Sequence, residues 1–524
     1  MGRRTARHAA RARVPFPLLL SGLILAAVAI PIWQAARGSG GAEAAANTPA
    51  SASASPTTTP TATPTATPSP TPTASPTPGP INTSFPGLTT FRGNATRDYY
   101  GEGPLPTRPV IRWRYPTSGG LCSSSTDNFG TRVWCGTGWT GQPNVIQHQN
   151  GTIEVREGAY DDHYHFLNGK TGVPMRPDLV TGDLAKGSAT SDADGYPLYY
   201  AGSRDNLLRV VALDRPKPTV LWSFDSRSQP GMLWNDDWDG APLEVGDYLL
   251  EGGENSWFYV IHLHRRYDAN GLVQVNPQIV MRVPGWDQQE LSDLGDTDVS
   301  IENSVAFSNG IVYFANSGGL VQGWDISDIL NGGTHYKRVF RFWDGDETDS
   351  SIVIDPQGFL YAARHRTENV STRPIARDEQ VGDLMKLDPR KPNDPLVWSV
   401  QLGGLSPEQG LLDTPAYYEG IVYATWAEGG LAAIDAKTGK VLWERTIPAP
   451  SWSSPVPIDG KLIVGDGAGY LNCFDISHPR VMPKLLWRIH LGGIVESTPA
   501  VWHGWIYVGT RDGGIYGVAN AAAP

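Results

Sequence analysis

Three segments near the C-terminus repeat one another: Thr414-Pro-Ala-Tyr-Tyr-Glu-Gly-Ile-Val-Tyr-Ala, Ser454-Pro-Val-Pro-Ile-Asp-Gly-Lys-Leu-Ile-Val and Thr498-Pro-Ala-Val-Trp-His-Gly-Trp-Ile-Tyr-Val. Each is a hydroxyl residue, a proline, a short apolar strand, a turn glycine and a second strand. The turn glycines, Gly420, Gly460 and Gly504, recur at roughly 40 residues, the period of a four-stranded propeller blade. A third strand follows in each unit, and the first two units continue into a fourth strand ending in Trp443 and Trp487. Evenly spaced short strands separated by glycine turns predict a closed all-β architecture.

Earlier units follow at 143–176, 188–224, 240–283, 303–343 and 351–401, with Trp222 and Trp398 on fourth strands. The expectation is an eight-bladed propeller of four-stranded antiparallel blades, or seven blades if 143–176 is not one of them. The last unit stops one strand short, near Val518, while Val110-Ile-Arg-Trp-Arg-Tyr115 has the form of a fourth strand with no blade of its own. Trp113 and its strand are therefore expected to complete the last blade, which would remove the open edge of the ring.

The propeller is assigned to 85–519, with a short tail at 520–524. Residues 1–13 are a basic cytoplasmic tail, and the uncharged run from Val14 to Trp33 has the ~20-residue length of a membrane-spanning signal anchor. A cleaved signal peptide is the competing reading. Residues 34–84 form a linker that is almost wholly Thr, Pro, Ser and Ala from 47 to 80, too poor in apolar side chains to fold and suited to an extended stalk. The expected location is the cell membrane, single-pass, with the propeller outside the cytoplasm.

Net charge is −11, and six arginines lie before residue 38, leaving 36 basic against 53 acidic side chains, a balance of −17. Nucleic acid is excluded as a partner, because its recognition needs a basic footprint. Of three cysteines, Cys122 and Cys135 flank a Ser/Gly-rich stretch and are expected to form a disulfide outside the cytoplasm. Cys473 occupies a repeat position that otherwise holds Ala433 and Gly517, which marks a buried packing residue.

Ala433-Ile-Asp435-Ala-Lys-Thr-Gly439-Lys-Val-Leu-Trp443 carries the tryptophan-docking pattern of alanine, aspartate two later, Thr-Gly and then tryptophan. With Phe91-Arg-Gly-Asn94 and Tyr100-Gly-Glu-Gly-Pro-Leu-Pro106, it makes the chain from Phe91 onward resemble the PQQ-binding-like β-propeller repeat family of the quinoprotein alcohol dehydrogenase-like superfamily. That family includes PQQ dehydrogenases, an outer-membrane assembly scaffold and propellers without known activity. The resemblance implies for its dehydrogenases a vicinal disulfide beside the cofactor, a calcium ion held by acidic and amide side chains, and an aspartate base. This sequence has no adjacent cysteines, and no motif places the remaining set.

Three consecutive fourth-to-first-strand connections are acidic and aromatic, and all should lie on one rim. They contain Asp236, Asp237 and Asp239; Asp296, Asp298 and Glu302; and Asp346, Glu347 and Asp349. Clustered carboxylates near aromatic rings suit calcium or a cationic or sugar ligand, and a solvated acidic rim is the alternative. His163-Tyr-His165 and His262-Leu-His264 each put two imidazoles on one strand face, but the sequence shows no third ligand and no metal is assigned. The reading that follows is a monomeric, membrane-anchored, non-catalytic propeller binding a protein or small ligand on one face, with no cofactor assigned. A PQQ- and calcium-dependent alcohol or aldose dehydrogenase is the alternative.

Overall fold

The computed structural model describes residues 86–522 apart from 128–129, 139–140, 368–374, 405 and 407–408. The expected tail, anchor and linker lie outside the described residues. Among the described residues, no helix is long and apolar enough to cross a membrane.

The protein is an all-β propeller of eight blades, most of them four-stranded and antiparallel. The blades span Asn144–Val180, Thr190–Asp225, Leu243–Pro284, Ala306–Trp343, Val353–Val400, Ala416–Thr446, Val456–His490, and Ala500–Asn520 with Pro109–Tyr115. Blade 1 is therefore a blade, which settles the count at eight. Its outer strand is the two-residue Leu179–Val180, beyond the expected boundary at 176; Pro174 makes only an isolated bridge to Leu167.

The repeat hydroxyl has a specific task. The backbone N–H of Gln142 donates to Ser188 Oγ, Ala241 N–H to Ser304 Oγ, Ser304 N–H to Ser351 Oγ, Ser351 N–H to Thr414 Oγ1 and Thr414 N–H to Ser454 Oγ, all at 2.8–3.0 Å. Each bond crosses from one blade to the next at the head of the inner strand. The hydroxyl satisfies a buried donor that no strand partner can reach.

The tryptophan and the Thr-Gly turn meet across the same junctions. Trp398 packs against Gly439 of the following blade, where an added Cβ would lie 2.7 Å from the indole, and its Nε1–H donates to the Ala436 carbonyl at 3.1 Å. Gly439 also holds a left-handed φ of 72°, so both sterics and backbone demand glycine. Asp435 fixes this turn by accepting from the Thr438 N–H and hydroxyl, at 3.0 and 2.9 Å. Trp443 repeats the pattern with the Pro479 carbonyl at 2.9 Å. Trp222 and Trp487 are only partly buried and pack at the margins of their clusters.

Closure reproduces that junction. Pro109–Tyr115 pairs antiparallel with Gly514–Asn520, and Trp113 packs on Gly172 of blade 1 while its Nε1–H donates to the Gly169 carbonyl at 2.8 Å. Cys473 lies opposite Trp487 and is fully buried, and burial pushes its thiol up to about 12.

The stretch just before the closing strand runs inside the ring. Gly87–Leu88 pairs with the inner strand of blade 1, and Gly101–Glu102 pairs parallel with that of blade 8. Between them, the Thr89, Ala95 and Thr96 carbonyls accept from Ser191, Phe307 and Ile354 N–H of blades 2, 4 and 5. Arg97 Nε–H donates to the Val305 carbonyl at 2.9 Å, and Arg92 Nη2–H to that of Thr414 at 2.7 Å. Both arginines are fully buried. The Phe91–Asn94 and Tyr100–Pro106 motifs thus belong to a plug that ties the inner strands together.

Truncating Trp113 to alanine should cost about 3–5 kcal/mol, because a buried indole is lost at the closing junction. A thermal melt of the variant that matched wild type would contradict this closure. Deleting residues 86–105 should lower the melting temperature of the whole propeller as one transition; a separate early transition confined to blades 1 and 8 would show that the plug only holds the ends.

Candidate functional site

The face bearing the fourth-to-first-strand connections and second-to-third-strand turns converges on a charged floor. Phe91 of the plug lines a small axial cavity there with Glu302, Asn303, Ser304, Asp349, Ser351, Thr414 and Ser454.

On one side of this floor, Lys186 sits among three buried carboxylates. Its Nζ lies 2.6 Å from Asp239 Oδ2, 2.9 Å from Glu254 Oε1 and 3.2 Å from Asp237 Oδ2. Arg204 Nε reaches Asp237 Oδ2 at 3.1 Å, and Asn235 donates to Glu254 Oε2 at 2.7 Å. Burial pushes the Asp239 carboxyl up to about 7, with Lys186 opposing the rise. Burial and then the Glu254 charge raise Asp237 further. The three carboxylates outweigh the burial of Lys186 and hold its ammonium strongly protonated. This group has the geometry of a metal cage, but the lysine ammonium already stands in the cation's place.

On the other side are Glu302, Glu347, Asp349 and His365. Ligand atoms of Glu347, Asp349 and His365 lie within 4.8 Å of one another, and His365 Nδ1 is 3.3 Å from Glu347 Oε2. Ser300 Oγ–H donates to Glu302 Oε1 and Ser317 Oγ–H to Asp349 Oδ1, both at 2.8 Å. Burial, followed by mutual repulsion, raises the Glu302 and Asp349 carboxyls well above the ordinary carboxylate range. Carboxylates packed this closely are stabilised by protons or by a hard divalent cation.

The nine acids named from sequence thus divide. Asp237, Asp239, Glu302, Glu347 and Asp349 gather at the floor. Asp298 is buried beside them and adds to the repulsion on Asp349. Asp296 caps its own turn through the Asp298 N–H, Asp346 is paired with Arg366 at 3.3 Å, and Asp236 is half-buried beside the Ser226 hydroxyl that its carbonyl accepts. Lys186, Arg204, Glu254, His365 and Phe91 were missed. Lys186 carried a usable signal, since it lies in the junction before blade 2, equivalent to the three acidic ones.

The Cys122–Cys135 disulfide pins a hairpin, Cys122–Asp127 with Gly130–Cys135, onto this same face. Arg511 Nε–H donates to the Cys135 carbonyl at 3.0 Å and its Nη1 pairs with Glu496 at 3.0 Å. The hairpin presents Trp134, set edge-on to Tyr160 with centroids 5.7 Å apart and with the Arg511 and Arg204 guanidinium carbons 5.3 and 5.9 Å from its ring. Trp134 Nε1–H is buried without an acceptor.

These residues fit the family's two groups unequally. Glu347 and Asp349, grouped with His365 and with the Glu302 charge acting on Asp349's side of the floor, supply hard oxygen donors of the kind calcium takes. The unsatisfied indole N–H of Trp134, its ring face and the nearby Arg204 and Arg511 suit a planar polyanion such as PQQ. The bridge beside them spans a hairpin, however, where the family's dehydrogenases have a vicinal disulfide.

The profile of a family described as outer membrane protein assembly factor BamB matches residues 380–480. A quinoprotein ethanol dehydrogenase of Pseudomonas putida is 34% identical over 433 residues, covering 74% of this chain and 60% of that protein. The quinoprotein alcohol dehydrogenase PedE of Pseudomonas putida is 34% identical over 396 residues, covering 67% of this chain and 55% of that protein. The chain therefore spans between half and two thirds of the length of these relatives. The structure of a quinohemoprotein alcohol dehydrogenase, ADHIIG from Pseudomonas putida, superposes with a TM-score of 0.56 at 11% identity, covering 84% of this chain and 81% of that one, which shows the shared fold. The expectation that the chain is not an enzyme is overturned by the relatives, which are named as dehydrogenases and match at 34% identity over most of its length. A catalytic set that no motif reveals does not exclude an enzyme, because the floor is assembled from loops distant in sequence. Repeat motifs, eight-bladed ring and relatives all support a PQQ-like β-propeller of the quinoprotein alcohol dehydrogenase-like superfamily.

Proposed function

We propose that the chain is an oxidoreductase that oxidises a hydroxyl-bearing substrate, an alcohol or an aldose, on the funnel floor beneath Trp134. The observation that carries this reading is the convergence there of the Glu347, Asp349 and His365 ligand atoms with a carboxyl, that of Asp239, held near 7. Glu347 and Asp349, with His365 and Glu302 beside them, would hold the divalent cation, and Trp134 with Arg204 and Arg511 would hold PQQ. Bound in this way, the quinone would supply the two-electron acceptor and the cation the charge that polarises the substrate oxygen.

The protein's own contribution is positioning and proton transfer. Asp239 Oδ2 lies 2.6 Å from Lys186 Nζ, and the Asp239 carboxyl also shares a hydrogen bond with Glu254. With its carboxyl near 7, Asp239 is about half ionised at neutral pH, the condition in which a general base works best. It would take the substrate hydroxyl proton, and Lys186 stabilises the ionised form. Phe91 closes the floor from below and the disulfide hairpin covers it from above, which limits water. The uncharged run at 14–33 supports a membrane anchor with the propeller outside the cytoplasm.

The full chain, loaded with PQQ and Ca2+, should reduce an artificial acceptor dye with alcohols or aldoses. PQQ and Ca2+ together should also raise its melting temperature whether or not the chosen substrate reacts. Absence of both effects would overturn the assignment. The rate should rise with pH through about 7, since Asp239 must lose its proton to act. Asp239→Asn should lower turnover on the order of 100-fold or more and abolish that limb of the profile. An unchanged pH profile in the variant would assign the base elsewhere. Glu302 and Asp349 hold their protons more tightly when folded than unfolded, so they weaken stability as pH rises. Calcium should therefore raise the melting temperature more at about pH 8 than at about pH 5, and an equal shift at both would contradict its binding there.

A further inference from the structure

The opposite face of the propeller carries the first-to-second-strand and third-to-fourth-strand turns. In blade 3, Asp247 lies in the turn between strands Leu243–Val245 and Tyr248–Gly252, and His264 follows strand Trp257–His262. The structure supplies the third ligand that the His262-Leu-His264 spacing lacked. The ligand atoms of Asp247, His262 and His264 lie within 4.8 Å of one another.

The three groups are held rather than merely adjacent. His262 Nε2 is 3.1 Å from Asp247 Oδ2. The two imidazole centroids are 3.7 Å apart, and Tyr248 stacks on His262 at 4.4 Å. His264 Nε2 is buried and has no hydrogen-bond partner, which is costly for a polar atom unless something binds it. Asp247 presents one oxygen because the other is committed: Oδ1 accepts from Arg265 Nε–H at 2.9 Å and from the Arg265 backbone N–H at 3.1 Å. This fixes the carboxylate, as supporting hydrogen bonds fix ligands in metal sites. Arg265 also pairs with Asp192, Asp194 and Glu244, at 2.6, 3.0 and 2.5 Å.

We propose that Asp247, His262 and His264 form a second metal site that binds a divalent transition ion of the zinc class. Imidazole nitrogen selects such ions over calcium and magnesium, which prefer all-oxygen sets. Two imidazoles and one carboxylate leave a coordination position open for water or an external ligand, as in three-ligand zinc sites. His262 and Asp247 are partly accessible, with side chains 26% and 11% exposed, so an ion can enter without unfolding the blade. The site is separate from the funnel, and its occupancy does not depend on the dehydrogenase reading.

The test is equilibrium dialysis of the chelator-treated full chain against Zn2+, with excess Ca2+ present to occupy the funnel carboxylates and metal content read by mass spectrometry. One equivalent of zinc should bind at micromolar concentration. His262→Gln and Asp247→Asn should each weaken binding at least 10-fold, while His365→Gln on the funnel side should leave this equivalent in place. Co2+ should bind at the same stoichiometry and give visible absorption bands, which His262→Gln abolishes; this readout needs no comparison of variant stabilities. The proposal is overturned if zinc fails to bind below millimolar concentration, or if the bound equivalent survives His262→Gln.

Discussion

A ring of blades stands only if its last junction is as good as its others. Here one segment, residues 86–115, meets that demand twice. Its outer part supplies the missing fourth strand, so that Trp113 docks on Gly172 as Trp398 docks on Gly439. Its inner part runs through the ring and bonds the inner strands of blades on every side. An annular sheet array has no central core of its own; the plug provides one, and Arg92 and Arg97 each donate to a carbonyl of a distant blade. Closure thereby couples the two ends of the chain to the stability of the whole ring.

The same plug sets the floor of the funnel. Phe91 lies under Glu302 and Asp349, so the charged floor rests on a surface that the ring alone would not have. The carboxylates are brought in by consecutive junctions because strand alternation puts every such loop on one face. Their crowding sets the acidities: desolvation raises each carboxyl, and each ionised neighbour raises the next. Lys186 resolves the conflict for one triad with a covalently attached cation, whereas no lysine ammonium stands among Glu347, Asp349 and His365 in the described residues. One floor thus brings together a carboxyl poised near 7 and the grouped ligand atoms of Glu347, Asp349 and His365.

The fold was legible because its determinants are local. The Gly439 turn, the Trp443 strand and the recurrent hydroxyl are sterically specific and recur with the blade period. Even the closing strand could be placed, since a missing strand and a surplus strand cancel. The site was only partly legible. Acidic runs such as Asp346–Asp349 stand out in sequence, yet Asp346 and Asp296 serve structure while the isolated Lys186 and Glu254 help build the floor. Nothing local distinguishes them; their roles come from which loops meet in space. For the same reason Asp247, far from remarkable in its own turn, becomes a partner of His262 and His264 only when two strands of blade 3 pair.

The central claim is that the funnel floor holds a calcium ion and a quinone side by side. A crystal structure of the chain grown with PQQ and Ca2+ tests it most directly. The account predicts a calcium ion about 2.3–2.6 Å from carboxylate oxygens of Glu302 and Asp349, with planar density between Trp134 and the floor. A funnel that stays empty under those conditions, or calcium bound only at surface carboxylates, would contradict it.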